Sequence, residues 1–137
     1  MDAQQHTLPA GYAAFAETFR YGGRLKAGCD AFGKPLESEI GSILTPEETA
    51  AEGARELLFF LDSFDEEDMG AAEKEGRLKT LVCFAADGAG NPFFMDFSRS
   101  PSRPSVLYWD DAELVLRTPA DNIENFFALF EAGGIVV

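Results

Sequence analysis

The sequence predicts an α+β domain in which an antiparallel sheet of about four to six strands is flanked by helices. Three observations predict it. Runs of β-prone apolar residues joined by short polar turns fill the stretch from Leu78 to Arg117, and helical apolar patterns lie on both sides of that stretch. The 137 residues, 46% of them hydrophobic and 13 of them phenylalanine, match one domain with a core of its own over residues 1–137.

The first helix is predicted from about Pro9 to Arg20. Pro9 suits a first helical turn, where its missing N–H is not needed, and Tyr12, Phe15, Ala16 and Phe19 recur at helical spacing. Gly22 and Gly23 supply a C-terminal stop. Arg24 to Pro35 reads as loop or irregular strand, and weak alternation over Leu36–Leu44 predicts a short strand around Gly41 to Leu44. The second helix is clearly punctuated. Thr45 is its N-cap, Pro46 its first residue, and Glu48, three after the cap, completes a capping box. Ala50, Ala54, Leu57, Leu58 and Leu61 carry its apolar face, which Phe59 and Phe60 widen. The acidic stretch Asp62–Gly76 reads as a flexible loop, with Glu67–Glu75 able to form a helical turn.

Leu78 to Ala85 predicts a central strand. It leads into the run Phe84–Phe97, FAADGAGNPFFMDF, which reads as strand, turn and strand. Asp87 can bond the backbone ahead of it, and Gly88 and Gly90 can take positive φ at little steric cost. Phe93, Phe94, Met95 and Phe97 make the second strand nearly continuously apolar, as for a strand covered on both faces or at one face and an end. Asp96 interrupts it and is assigned to bracing the adjacent loop, because an unpaired buried carboxylate costs several kcal/mol, roughly. This strand ends near Ser98. Arg99–Ser105, RSPSRPS, is an exposed loop, Val106–Trp109 a third strand, Asp110–Ala112 a turn and Glu113–Arg117 a fourth strand. The last helix is predicted to begin at Asp121 with Glu124 as its box partner. Ile123, Phe126, Phe127 and Phe130 form its stripe, and Gly133 and Gly134 follow.

Charge excludes whole classes of partner. Eleven basic against 24 acidic residues leave a net charge of −13, which repels nucleic acid and anionic membrane and suits a basic protein surface. Asp62, Asp65, Glu66, Glu67 and Asp68 stand within seven residues, and Asp110, Asp111 and Glu113 form a second group after Tyr108 and Trp109. Such groups repel one another unless a cationic surface meets them. These ten residues are the candidate partner-binding set, with Tyr108 and Trp109 as possible anchors; a lone tryptophan on a strand is more often core than interface.

Catalytic chemistry finds little support. The single histidine, His6, precedes the first helix, which leaves a nucleophilic triad without a well-placed base. Two cysteines and one histidine cannot complete a zinc site without carboxylates, and no catalytic residue, metal or cofactor is assigned. Gly88-Ala89-Gly90 leads into a strand, unlike a dinucleotide loop, and the calcium-like Asp87, Asn91 and Asp96 lack a calcium loop's spacing. Residues 1–10 carry no secretory pattern and no long apolar run follows, so the expected compartment is the cytoplasm, with Cys29 and Cys83 as free thiols.

These landmarks together resemble the SMI1/KNR4 family of the SUKH superfamily. Leu8, Pro9, Tyr12, Phe15, Gly22 and Gly23 are similar to its first-helix pattern, FAADGAGNPFFMDF to its hairpin ending in aspartate, and VLYWDD with DNIENFFALF to its next strand and final helix. Tyr21 stands where an asparagine is usual, and the segment from Asp62 to Gly76 has no evident counterpart. The resemblance implies an α+β fold without catalysis. It further implies, for a bacterial member, an immunity protein that neutralises a cognate secreted or contact-delivered toxin by direct contact, as a monomer or weak dimer. Eukaryotic members imply the alternative of a regulatory scaffold. A small-ligand binder using the Phe-rich sheet face is the third reading.

Overall fold

The computed structural model describes residues 7–20, 23–24, 39–100, 102–111 and 113–128, with backbone alone at 23–24 and 39. Six strands, β1 (Gly23–Arg24), β2 (Glu39–Ile43), β3 (Leu81–Asp87), β4 (Pro92–Asp96), β5 (Ser105–Asp110) and β6 (Val115–Ala120), form one antiparallel sheet in the order of the chain. The α+β architecture is as the sequence predicts, with β1 a two-residue edge. Helices α1 (Tyr12–Thr18) and α5 (Ile123–Ala128) cover one face. The other is covered by α3 (Ala54–Asp62), which continues α2 (Pro46–Glu48) through a π-helical turn, Thr49–Gly53. Helix α4 (Ala71–Thr80) leads into β3.

Alternation along the strands sorts the core into two layers. Phe84, Phe93, Met95, Val106 and Tyr108 face α1 and α5, where Tyr12, Phe15, Ala16, Ile123 and Phe126 meet them. Leu81, Cys83 and Phe94 face α3, where Leu57, Phe60, Leu61 and the loop residue Met69 meet them. Phe84, Phe93 and Phe94 keep no exposed surface, so each contributes roughly 2–3 kcal/mol of apolar burial. The rings interlock edge to face: Phe84 lies 5.5 Å from Phe126 at 88°, and Phe60 5.1 Å from Phe64 at 82°. The Tyr12 hydroxyl donates to the Leu44 carbonyl at 2.6 Å, tying α1 to the end of β2.

The capping box is formed as predicted. Thr45 Oγ1 accepts from the Glu48 N–H at 3.2 Å, and Glu48 accepts from the Thr45 N–H at 2.8 Å. That second bond, more than the nearby Arg20, holds the Glu48 carboxyl below the ordinary range. Beyond the box the helix widens into the π turn, which brings Gly53 against the Cys83 carbonyl so closely that any Cβ would overlap it. The buried stripe of α3 is then Leu57, Phe60 and Leu61. Ala50, Leu58 and Phe59, predicted to be buried, face outward, because adjacent helical residues point about 100° apart. Phe59 is 76% exposed.

Other boundaries differ for identifiable reasons. Helix α1 begins only after Gly11, whose φ of 86° breaks helical geometry, and Pro9 sits in the turn before it. The predicted flexible loop ends at Gly70, and Leu78–Thr80 belong to α4 rather than to the strand. No residue of α4 is buried, so it carries no apolar stripe to be read. The pairs Arg77–Glu73 at 3.2 Å and Lys79–Glu75 at 3.6 Å support it instead. Strand β6 is shifted to Val115–Ala120, and α5 is capped by Asn122, whose Oδ1 accepts the Asn125 N–H at 2.9 Å, in place of Asp121. Glu124 pairs with Arg103 at 3.4 Å. Gly22, Phe130, Gly133 and Gly134 lie outside the described residues.

Two glycines of similar helical setting separate packing from propensity. Gly53→Ala is expected to lower unfolding stability in urea by about 2 kcal/mol through the clash with β3. Gly76→Ala, with open space around the added carbon, is expected to raise it by up to about 1 kcal/mol.

Candidate functional site

The two acidic groups of the sequence are brought to one region by aromatic packing. Helix α3 lies on the sheet so that Phe60 and Phe64, near and just past its end, each meet Trp109 of β5 at 5.3 Å and each other at 5.1 Å, a triangle of rings. Phe64 is followed by Asp65–Asp68 and Trp109 by Asp110–Glu113, so the carboxylates of loop and turn flank one half-buried aromatic cluster.

The loop between α3 and α4 is held from within. Asp65 Oδ1 accepts the N–H groups of Glu67 at 3.1 Å and Asp68 at 3.0 Å, Lys74 Nζ donates to the Phe64 carbonyl at 2.5 Å, and Met69 is 5% exposed in the core. Asp65 is therefore a structural brace. Asp62, Glu66, Glu67 and Asp68 are exposed and make no ion pair with any described residue.

The β5–β6 turn has the same division of labour. Asp110 accepts the Glu113 N–H at 3.2 Å and the Arg117 guanidinium at 3.3 Å, and the two side chains of that ion pair are only 15% and 11% exposed. Asp111 and Glu113 stand in solvent. Between the clamp and the strand, Leu114 has a φ of 57° and is 68% exposed. A leucine in that backbone region costs roughly 1–2 kcal/mol. Nothing in the sequence marks it, since the residues around it read as the start of a strand.

Tyr108 lies on the opposite face of the sheet from Trp109. Its ring stacks on Phe93 at 4.4 Å, it is 8% exposed, and its hydroxyl donates to Asp87 Oδ2 at 2.6 Å. Its position is that of a core residue with a polar tip, and little of it is exposed to serve as an anchor. Asp87 also accepts the N–H groups of Ala89 at 2.9 Å and Asn91 at 2.8 Å, and the Asn91 amide at 3.0 Å. Burial raises its carboxyl pKa, but the Tyr108 hydroxyl and these N–H donors outweigh it and leave it below the ordinary range. In the turn only Gly90 takes positive φ, at 92°. Asp96 accepts the Ser98 N–H at 2.9 Å, the bracing role read from the sequence.

The family model of SMI1 / KNR4 (SUKH-1) matches residues 3–129, nearly the whole chain. The chain belongs to the SMI1/KNR4 family. This family is known for immunity-protein domains and is not known as an enzyme family. No curated protein and no solved structure significantly matches the chain.

Other features of this SMI1/KNR4 domain bear on ligands. A cleft of about 420 Å³ opens between α3 and the β3–β4 hairpin, lined by Glu52, Arg55, Glu56 and the exposed Phe59 over Ser42 and Pro92. The Phe-rich sheet faces are packed by α1 and α5 on one side and by α3 on the other. Cys83 is a free, buried thiol whose pKa burial, and secondarily Glu56, pushes up to about 12; Cys29 and His6 lie outside the described residues. Among the described residues no group of His, Cys, Asp and Glu is placed to hold a metal ion, and no helix is long and apolar enough to cross a membrane.

Because the folded carboxyl of Asp87 titrates below its unfolded value, its contribution to stability is complete above that unfolded value. It is lost as pH falls through the folded one. Asp87→Asn is expected to cost about 1 kcal/mol at neutral pH and to flatten the fall in thermal midpoint between roughly pH 5 and pH 2. Melting curves across that range check both effects.

Proposed function

We propose that the chain is a cytoplasmic, non-enzymatic immunity protein that binds a cognate secreted or contact-delivered toxin and blocks it by direct contact. Family membership supports this class. The observation that carries the reading further is the set of exposed carboxylates that make no ion pair with any described residue, Asp62, Glu66, Glu67, Asp68, Asp111 and Glu113, around the Phe60–Phe64–Trp109 cluster. Like charges so gathered repel one another in the free protein and are relieved by a basic surface. A toxin that acts on nucleic acid or nucleotides presents such a surface. Exposed charges act chiefly on the rate of encounter, while desolvated apolar groups set the rate of departure.

The immunity reading places the toxin in the product of the adjacent gene, and the C-terminal module of that product is the partner to use. Replacing Glu66, Glu67 and Asp68 by lysine, while keeping the bracing Asp65, is expected to slow association about tenfold and to reduce its dependence on salt, with the thermal midpoint unchanged. Association kinetics at two ionic strengths decide the point. Equal rates for variant and wild type remove the loop from the interface, and wild-type protein that neither binds the module nor protects cells producing it removes the immunity reading.

A further inference from the structure

We propose that Leu114 is the apolar anchor of this surface, and that the partner meets it with an apolar pocket rimmed by lysine or arginine. The proposal rests on the reading of the chain as a binder of a basic protein, and adds the point at which water is excluded.

Neither packing nor backbone geometry within the fold calls for a leucine at this position. Its φ of 57° belongs to the left-handed region, where glycine, asparagine and aspartate are at ease and a bulky apolar residue is not. Its side chain is 68% exposed and belongs to neither core cluster, so the strain is not offset by burial. Val115 beside it is 45% exposed, which extends the apolar tip. Residues held in such conformations persist where their surroundings over-determine them, and they gather at sites of contact.

The surroundings here do over-determine it. Asp110 receives the Glu113 N–H from one side of the tip and Arg117 from the other, through side chains largely withdrawn from water. Leu114 is thereby bracketed by a held Glu113 N–H before it and the held Arg117 after it, and little further order is needed to dock it. Its immediate rim is the exposed carboxylates of Asp111 and Glu113. An apolar centre inside a polar rim is the common anatomy of a protein interface, and this rim requires cations opposite it. The same charge turns away a nucleic acid or an anionic membrane.

Leu114→Gly and Leu114→Asn both suit the backbone and delete the apolar side chain. With the toxin module of the neighbouring gene as the probe, each is expected to weaken binding at least tenfold, mainly by faster dissociation, while the thermal midpoint stays level or rises. A variant that dissociates at the wild-type rate overturns the proposal and leaves the immunity reading standing. A fall in midpoint for both variants also overturns it, because the leucine would then serve the fold. Wild-type protein that does not bind the module overturns the immunity reading and this proposal with it.

Discussion

Burial of β4 on both faces is the constraint from which the rest of the architecture follows. Phe93, Phe94 and Met95 are consecutive and none has exposed surface, so a strand of this composition cannot present a face to water. One layer of helix would leave either Phe93 or Phe94 wet. The chain answers with α1 and α5 on one side and α3 on the other, drawn from segments far apart in sequence. The close approach at Gly53 belongs to the same requirement, since it lets the helical segment lie against β3 without a gap.

Much of this was legible in the residues. The capping box at Thr45 and Glu48, the Asp87 turn and the aromatic strands each carry a local signal that tertiary structure had no reason to override. The same kind of reasoning fails where the signal is not apolar periodicity. Helix α4 has no fully buried residue, and its ion pairs, its tether through Lys74 and the packing of the single Leu78 leave no apolar stripe to be read. Asp121 and Asn122 are both good caps, and which of them begins α5 depends on a one-residue phase that composition does not show.

The candidate surface was legible as charge and illegible as geometry. Tyr108 and Trp109 are neighbours in sequence and fall on opposite faces, one stacked on Phe93 and the other packed against Phe60 and Phe64. Among the acidic residues the fold makes a distinction that counting cannot. Asp65, Asp87, Asp96 and Asp110 accept backbone N–H groups and shape turns, whereas Asp62, Glu66, Glu67, Asp68, Asp111 and Glu113 project their charge outward. A net charge of −13 is therefore partly scaffolding and partly surface.

The order of the strands has a kinetic consequence. Every strand pairs with its predecessor in the chain, and the turns from β3 to β6 are short, so four of the six strands can zip together through small loops. Small loops lose little entropy on closing, and sheets assembled from neighbouring segments reach their native pairing quickly. As the polypeptide leaves the ribosome, each of these strands finds its template already synthesised, and among the described residues no strand has to insert between two that are already joined.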